Sequence, residues 1–361
     1  MKNTKQHRFP YEWTLKNAKF TKDKGKVFSC FACGGGSTMG YKLAGFDVLG
    51  CNEIDPKMIE AYKINHNPKY AYLEPIQTFK LRKDLPKELY NLDILDGSPP
   101  CSSFSMAGNR EKDWGKEKKF REGQADQVLD TLFFDFIDLA KELQPKVVVA
   151  ENVAGMMMGT AKEYVKKVYE EFKKAGYQLR IEPYLLDASK MGVPQRRKRV
   201  FFIALRNDLS TKFMEQVDIF QSAPKLDLNF KEKEIIFRDI YEVGNKERLL
   251  NGDALDLWND RIETDLDLDS ISTRRGRPNY MFNYKFLKLS KVSNTITGSD
   301  NCCLYEEPRY RGKKELTSCG TYPVDYDFGK LKPEYLIGMS VPPVMTANIA
   351  TEIYNQWISK F

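Results

Sequence analysis

Four short stretches of this 361-residue chain hold the side chains best suited to chemistry. The first reads Phe31-Ala32-Cys33-Gly34-Gly35-Gly36-Ser37-Thr38-Met39-Gly40. Glycines directly after a strand let a backbone approach a ligand closely, and an acid about 20 residues on can hold ribose hydroxyls; Glu53 fits that place. The spacing fails G-x-G-x-x-G, because Met39 stands where the third glycine belongs. A dinucleotide is therefore disfavoured, while a nucleoside without a pyrophosphate and a plain tight turn both fit. The second stretch is Asp96-Gly97-Ser98-Pro99-Pro100-Cys101-Ser102-Ser103-Phe104-Ser105. Two prolines stiffen the backbone before Cys101, which is either a nucleophile or an inert loop cysteine. The third is Ala150-Glu151-Asn152-Val153. A half-buried carboxylate at a strand end suits proton donation, and a Glu-Asn pair equally suits a helix N-terminus. The fourth is Gln195-Arg196-Arg197-Lys198-Arg199, with five positive charges and no acid over residues 190–199. In a strand that begins by Arg197, Arg197 and Arg199 share one face, fit for a phosphate or a base carbonyl. A solvated basic turn is the plainer alternative.

These stretches need elements to position them. Apolar runs predict strands at 27–31, 46–51, 92–95, 146–150 and 200–205. Helical spacing predicts helices from the glycine cluster through Leu43, at 57–65, at 128–143, and at 164–175 with Gly176 closing it. Strand–helix alternation over about 180 residues means an α/β, Rossmann-like, doubly wound sheet, whose working edge is formed by the strand C-termini. Each of the four stretches falls at a strand end. After Arg206 the rhythm breaks. We read residues 1–25 as an N-terminal arm anchored by Pro10, Tyr11 and Trp13. Residues 26–205 form a catalytic domain, 206–318 a smaller, mostly irregular or β domain, and 319–361 a segment returning to the first.

Composition narrows the classes. Hydrophobic residues at 42% and charged residues at 30% describe a soluble globular chain. A net charge of +7 permits a polyanionic partner without requiring one. Two histidines, His7 and His66, nearly exclude chemistry that needs several. Seven cysteines, an odd number, argue for a reducing compartment, and the single Cys30-Phe31-Ala32-Cys33 pair lacks the second pair of a zinc ribbon. No apolar run is long enough to span a membrane and no signal-peptide pattern opens the chain, so a cytoplasmic location is expected. The run Asp265-Leu266-Asp267-Leu268-Asp269 fails the calcium-loop test at Ser270 and Gly276, and reads as an acidic solvated face. Residues 272–291 contain Arg274, Arg275, Arg277, Lys285, Lys288 and Lys291, without an acid, interleaved with Tyr280, Phe282 and Tyr284. Arginine there suits guanine edges and lysine suits phosphates.

Taken in order, the four stretches resemble the C5-cytosine DNA methyltransferase family, of bacterial or phage type. Gly338-Met339-Ser340-Val341-Pro342-Pro343 resembles the family's last motif, and two departures stand: Cys33 replaces a usual glycine in the first motif, and Met339 a usual asparagine in the last. Pro75 occupies the expected place of a third-motif aspartate. The resemblance covers about residues 26–358. It implies S-adenosylmethionine as cofactor, held by Phe31, Ala32, Gly34, Gly36, Glu53, Ile54, Ile76, Pro100, Leu132, Ser340 and Val341. It implies Cys101 as nucleophile on C6 of a flipped cytosine, Glu151 at N3, and Arg197 and Arg199 at the base O2. Ser105 and Gln195, with Arg274, Arg275, Arg277, Lys285 and Lys288, are the implied DNA contacts. Residues 108–124 correspond to the loop that closes over the base. The expected partner is duplex DNA, met by a monomer without metal or membrane, and a cognate restriction endonuclease is a candidate second partner. The rivals are the tRNA-methylating branch of the family and a non-catalytic DNA-binding relative.

Overall fold

A computed structural model describes residues 7–100, 131–157, 161–217 and 222–361, with the backbone of 117–118 and 127–128. Cys101, Ser105 and most of 108–124 lie outside the described residues. In chain order the first elements are β1 (Lys26–Cys30), α1 (Gly36–Leu43), β2 (Asp47–Glu53), α2 (Pro56–His66), β3 (Tyr70–Leu73), α3 (Ile76–Phe79) and β4 (Ile94–Gly97). A two-residue antiparallel pair, β5 (Glu117–Lys118) and β6 (Gln127–Val128), precedes α4 (Leu132–Leu143). Then come β7 (Val147–Val153), α5 (Ala161–Lys174), β8 (Tyr177–Leu179), β9 (Tyr184–Asp187) and β10 (Lys198–Arg206).

The sheet has eight strands in the order β3-β2-β1-β4-β7-β10-β8, with β9 also on β10. The neighbours from β3 to β7 run parallel, and β10 runs antiparallel to β7, β8 and β9. The order reverses between β1 and β4, so a crevice opens at the C-terminal ends of those two strands. Alternation of side chains builds two apolar layers. Phe28, Cys30 and Leu49 meet Phe79, Phe133, Phe136 and Phe172 in the main core, while Cys51 joins Ala32, Ile59 and Tyr62 in a smaller cluster.

The described residues fall into two compact units. One takes those within Lys19–Asp187, Lys198–Asn229 and Thr346–Phe361 and holds the sheet; the other takes those within Met1–Ala18, Ala188–Arg197 and Phe230–Met345. In the sheet unit follow α6 (Asn207–Ser210) and the ribbon β11 (Met214–Gln216) with β12 (Ser222–Pro224). In the second unit, the regular elements are short helices: α7 (Gly252–Asn259), α8 (Leu268–Arg274), α9 (Lys313–Cys319) and α10 (Pro333–Met339). Its strands are one two-residue parallel pair, β13 (Phe286–Leu287) with β14 (Cys303–Leu304). Helices here pack Ala254, Leu257, Trp258, Leu268 and Ile271 into a core with Phe286 and Cys303. The final helix is α11 (Pro343–Gln356).

Two expectations change. The acidic run is not a solvated face: Asp265 and Asp267 are buried. Asp267 caps α8 by accepting from Ser270 N at 2.8 Å, and Asp265 accepts from Ile262 N at 2.8 Å, so both carboxylates satisfy backbone donors of their own turns. Second, the last long strand starts at Lys198, so Arg197 precedes it and shares no strand face with Arg199.

Candidate active site

The glycine loop turns sharply because its backbone enters the left-handed region three times, at Phe31 (φ 51°), Cys33 (φ 48°) and Gly35 (φ 84°). Only glycine takes that conformation freely. At Gly35 there is no room for more: a Cβ would lie 2.2 Å from Nε2 of His66. His66 itself is buried, donates from Nε2 to Gly34 O at 3.1 Å, and has its pKa pushed down to about 3 by burial. It is a neutral packing residue of α2. Glu53 ends β2, 5% exposed, and accepts from the backbone N–H of Cys33 (2.7 Å), Ile54 (2.9 Å) and Asp55 (2.9 Å). The third donor set of this region belongs to Asn52, whose amide holds Glu74 O at 2.8 Å, just before Pro75 starts α3.

A ribose-bearing cofactor needs a fixed carboxylate and a turn without bulky side chains. The described residues supply both: the Glu53 carboxylate, oriented by three amides, and the Gly34–Gly36 backbone beside it. Ile76 and Leu132 sit in the main core, and Ala32 is also buried. Ser340 and Val341 lie in the second unit, each 5% exposed.

At the neighbouring edge, β4 pairs with β7 so that Gly97 stands opposite Ala150. Ser98–Pro100 therefore leave the sheet beside Glu151, which remains in β7. Asn152, 4% exposed, donates its amide to Pro99 O at 3.1 Å and accepts from Val153 N at 2.8 Å. The sequence reading gave Asn152 no role of its own; its signal was its place in the Glu-Asn-Val run. Across the sheet, Phe201 opposes Glu151 and Arg199 opposes Val153. Glu151 and Arg199 are thus diagonal neighbours on one face, and Arg199 Nε meets Glu151 Oε1 at 2.9 Å. Their side chains are 15% and 12% exposed, in the order Arg199, Glu151. Burial pulls the Arg199 guanidinium down, and the Glu151 carboxylate opposes that.

Arg197 and Gln195 sit otherwise than expected. Arg197 is 2% exposed and its guanidinium donates to Ile296 O (3.1 Å), Gly338 O (3.0 Å) and Ser340 O (2.8 Å). Gln195 is 1% exposed, donating to Cys319 O at 3.1 Å and accepting from Ile296 N at 2.9 Å. Both clasp backbone inside the second unit; each side chain spends its polar groups on carbonyls and amides that burial would otherwise strand. Neither is placed as a contact to a base or a phosphate.

The basic stretch is also partly spent. Arg274 pairs with Asp265 at 2.7 Å, Arg275 pairs with Asp256 and Asp260 of α7 and the turn after it, and Lys285 pairs with Asp267 at 2.6 Å. Lys288 donates to Glu263 O at 3.0 Å and lies over the Tyr305 ring. Arg277 keeps most of its surface, 61% of the side chain, and stacks on Tyr280 at 4.3 Å. Among the described residues no helix is long and apolar enough to cross a membrane, and no group of three or more His, Cys, Asp or Glu is arranged for a metal.

Residues 25–355 match the C-5 cytosine-specific DNA methylase family, and the chain belongs to that family. Type II methyltransferase M.FnuDI of Fusobacterium nucleatum is 35% identical over 190 residues, covering 53% of this chain and 49% of that protein. Type II methyltransferase M1.HphI of Haemophilus parahaemolyticus is 26% identical over 343 residues, 90% of this chain and 85% of that protein. The alignment to M.FnuDI, like that to M.NgoPII of Neisseria gonorrhoeae, spans about half of the relative's length. Among solved structures, a prophage-encoded protein of Escherichia coli described as a DNA modification methyltransferase superposes with a TM-score of 0.63 at 22% identity, covering 91% of this chain and 98% of that one. Spodoptera frugiperda DNMT2 gives 0.61 at 17% identity, covering 90% and 98%. These two likenesses establish the methyltransferase fold.

Proposed function

We propose that this chain transfers a methyl group from S-adenosylmethionine to C5 of a cytosine flipped out of a specific duplex DNA site. The observation that carries the reading is the Asn152 amide on Pro99 O, which ties the proline segment that precedes Cys101 in sequence to the strand that bears the Glu151–Arg199 pair. S-adenosylmethionine, when bound, supplies a methyl group on a sulfonium. Glu53 and the glycine loop hold its ribose. Cys101, as thiolate, adds to C6 and pushes the C6–C5 electron pair onto C5, making it nucleophilic. Glu151, as the carboxylic acid, donates its proton to N3 as negative charge builds there and takes it back on elimination, while Arg199 holds Glu151 in place and faces O2. C5 takes the methyl group, water accepts the C5 proton, and elimination returns the electrons to Cys101.

The second unit reads the duplex, with Arg277 as the most exposed arginine of the 272–291 stretch and lysines on phosphates. The protein works as a monomer in the cytoplasm, with a restriction endonuclease of the same specificity as its genetic companion. The test is transfer of labelled methyl to duplex DNA and to tRNA by wild type and Cys101→Ser, with 5-fluorocytosine duplex as trap. The fluorine cannot leave as a proton, so a denaturant-resistant adduct on Cys101 is expected. Transfer to tRNA alone, or an adduct on another residue, overturns the reading.

A further inference from the structure

One buried acid has no part in that mechanism. Asp96 stands in β4, five residues before Cys101, and is 4% exposed. Its Oδ2 accepts from Ser29 Oγ at 2.8 Å and from Ser37 Oγ at 2.7 Å, and its Oδ1 accepts from Tyr41 Oη at 3.1 Å. Ser29 lies on β1, just before the glycine loop; Ser37 and Tyr41 lie on α1, just after it. The acceptor, by contrast, belongs to the strand that runs into the Pro99-Pro100 turn. Among the described residues no lysine or arginine pairs with Asp96, so its charge is met by hydroxyl groups from both sides of the loop.

A carboxylate can accept all three hydroxyls at once, which fixes each of them. A neutral amide cannot, because its nitrogen only donates and one hydroxyl has to reverse; a protonated carboxyl accepts them more weakly than the anion does. We propose that ionised Asp96 is a positioning residue that locks the glycine loop of the cofactor site to β4, the strand that precedes Cys101 in sequence. The inference rests on the methyltransferase reading above and deepens it, because cofactor affinity and nucleophile placement then share one carboxylate.

The charge state is within reach of ordinary conditions. Burial pushes the Asp96 carboxyl up to about 6, the hydrogen bonds from Ser37, Ser29 and Tyr41 pull it back, and the Glu151 carboxylate on β7 pushes it up. The other titratable groups facing it are Cys30 on β1, Tyr41 on α1 and Tyr62 on α2, all of which burial pushes up and keeps neutral. A carboxyl raised above its unfolded value stabilises the fold at low pH and loses that contribution as the pH rises through about 6. Cofactor affinity should run the other way, strong above pH 6 and weak below it.

The experiment measures calorimetric affinity for S-adenosylmethionine, and thermal unfolding without cofactor, from pH 5 to 8. In wild type, affinity should fall about tenfold on acidification with a midpoint near 6. Asp96→Asn should bind weakly and evenly across the range, and its unfolding temperature should lose the part of the pH dependence that opposes binding. Ser29→Ala removes one bond to the ionised form only, so the midpoint should move up by about one pH unit. A merely structural Asp96 would lower stability in both variants without moving any midpoint. If Asp96→Asn fails to fold, Ser29→Ala decides alone: an unmoved midpoint overturns the proposal. An Asn variant with wild-type affinity and the same acid limb overturns it too. If wild type neither binds S-adenosylmethionine nor methylates DNA, it is the methyltransferase reading that has failed.

Discussion

Replacing Asn152 by alanine tests whether the nucleophile turn is held from β7. The change removes the amide donor to Pro99 O at 3.1 Å and the acceptor for Val153 N at 2.8 Å, at a side chain 4% exposed. Two net hydrogen bonds are worth about 2 kcal/mol together, and a buried carbonyl left without its donor adds about 1 kcal/mol or more. A loss of about 3 kcal/mol leaves most proteins folded, since total stabilities run about 5–15 kcal/mol. Activity should suffer more than stability. A displacement of about 1 Å at a reacting group can cost about 100-fold, so single-turnover methyl transfer should fall by that order while S-adenosylmethionine affinity stays within a few-fold. Asn152→Asp keeps an acceptor for Val153 N but sets a carboxylate oxygen against Pro99 O, and should be at least as damaging. The measurements are denaturant unfolding, calorimetry and rapid-quench transfer. If Asn152→Ala loses stability as stated yet transfers methyl at the wild-type rate, the turn does not depend on this contact, and the reasoning fails.

Three further outcomes are expected. In a double-mutant cycle of Glu151→Gln and Arg199→Ala, single-turnover rates should show a coupling of about 1–3 kcal/mol, and strict additivity would separate the two residues. Gly35→Ala forces a left-handed alanine, at about 1–2 kcal/mol, and drives a Cβ toward the His66 ring, so both melting temperature and cofactor affinity should fall; an unchanged melting temperature contradicts the loop geometry. On a library of randomised duplex sites, Arg277→Ala should relax preference at one position by about 1–3 kcal/mol, whereas Arg274→Ala and Arg275→Ala should leave preference intact and lower stability, as measured by thermal unfolding. Unchanged preference in Arg277→Ala would place the reading group elsewhere in the second unit.

Much of the catalytic unit was legible because burial leaves a strong imprint. The runs at 27–31, 146–150 and 200–205 are apolar enough to be central strands, and β1, β7 and β10 form there. The edge strands were harder. β3 reads Tyr70–Leu73 with every residue partly or fully exposed, and β8 has only three residues, so neither shows an apolar run. The helix expected from residue 128 starts at Leu132, because Val128 is taken by a strand pair. At the site, motif spacing located Glu53 and Glu151, whose neighbours in sequence set their place. For Arg197 and Gln195, residue type alone does not show that each side chain meets the backbone of Ile296, 99 and 101 residues later. The acidic run reads as a solvated face and the basic stretch as DNA contacts because the pairs between them, Arg274 with Asp265 and Lys285 with Asp267, leave no mark in either run alone.

The sheet unit is closed by residues far along the chain from those they cover. Tyr354 packs edge-on against Phe46, Gln356 exchanges hydrogen bonds with the backbone of Asp227, and Trp357 donates to Lys225 O at 2.7 Å. At a synthesis rate of roughly 5–20 residues per second, Phe46 leaves the ribosome roughly 15–60 s before Tyr354 exists to cover it. During that interval an aromatic surface that is fully buried in the finished molecule faces solvent on a growing chain. The order of synthesis therefore leaves this aromatic surface without its cover until the growing chain has reached Tyr354.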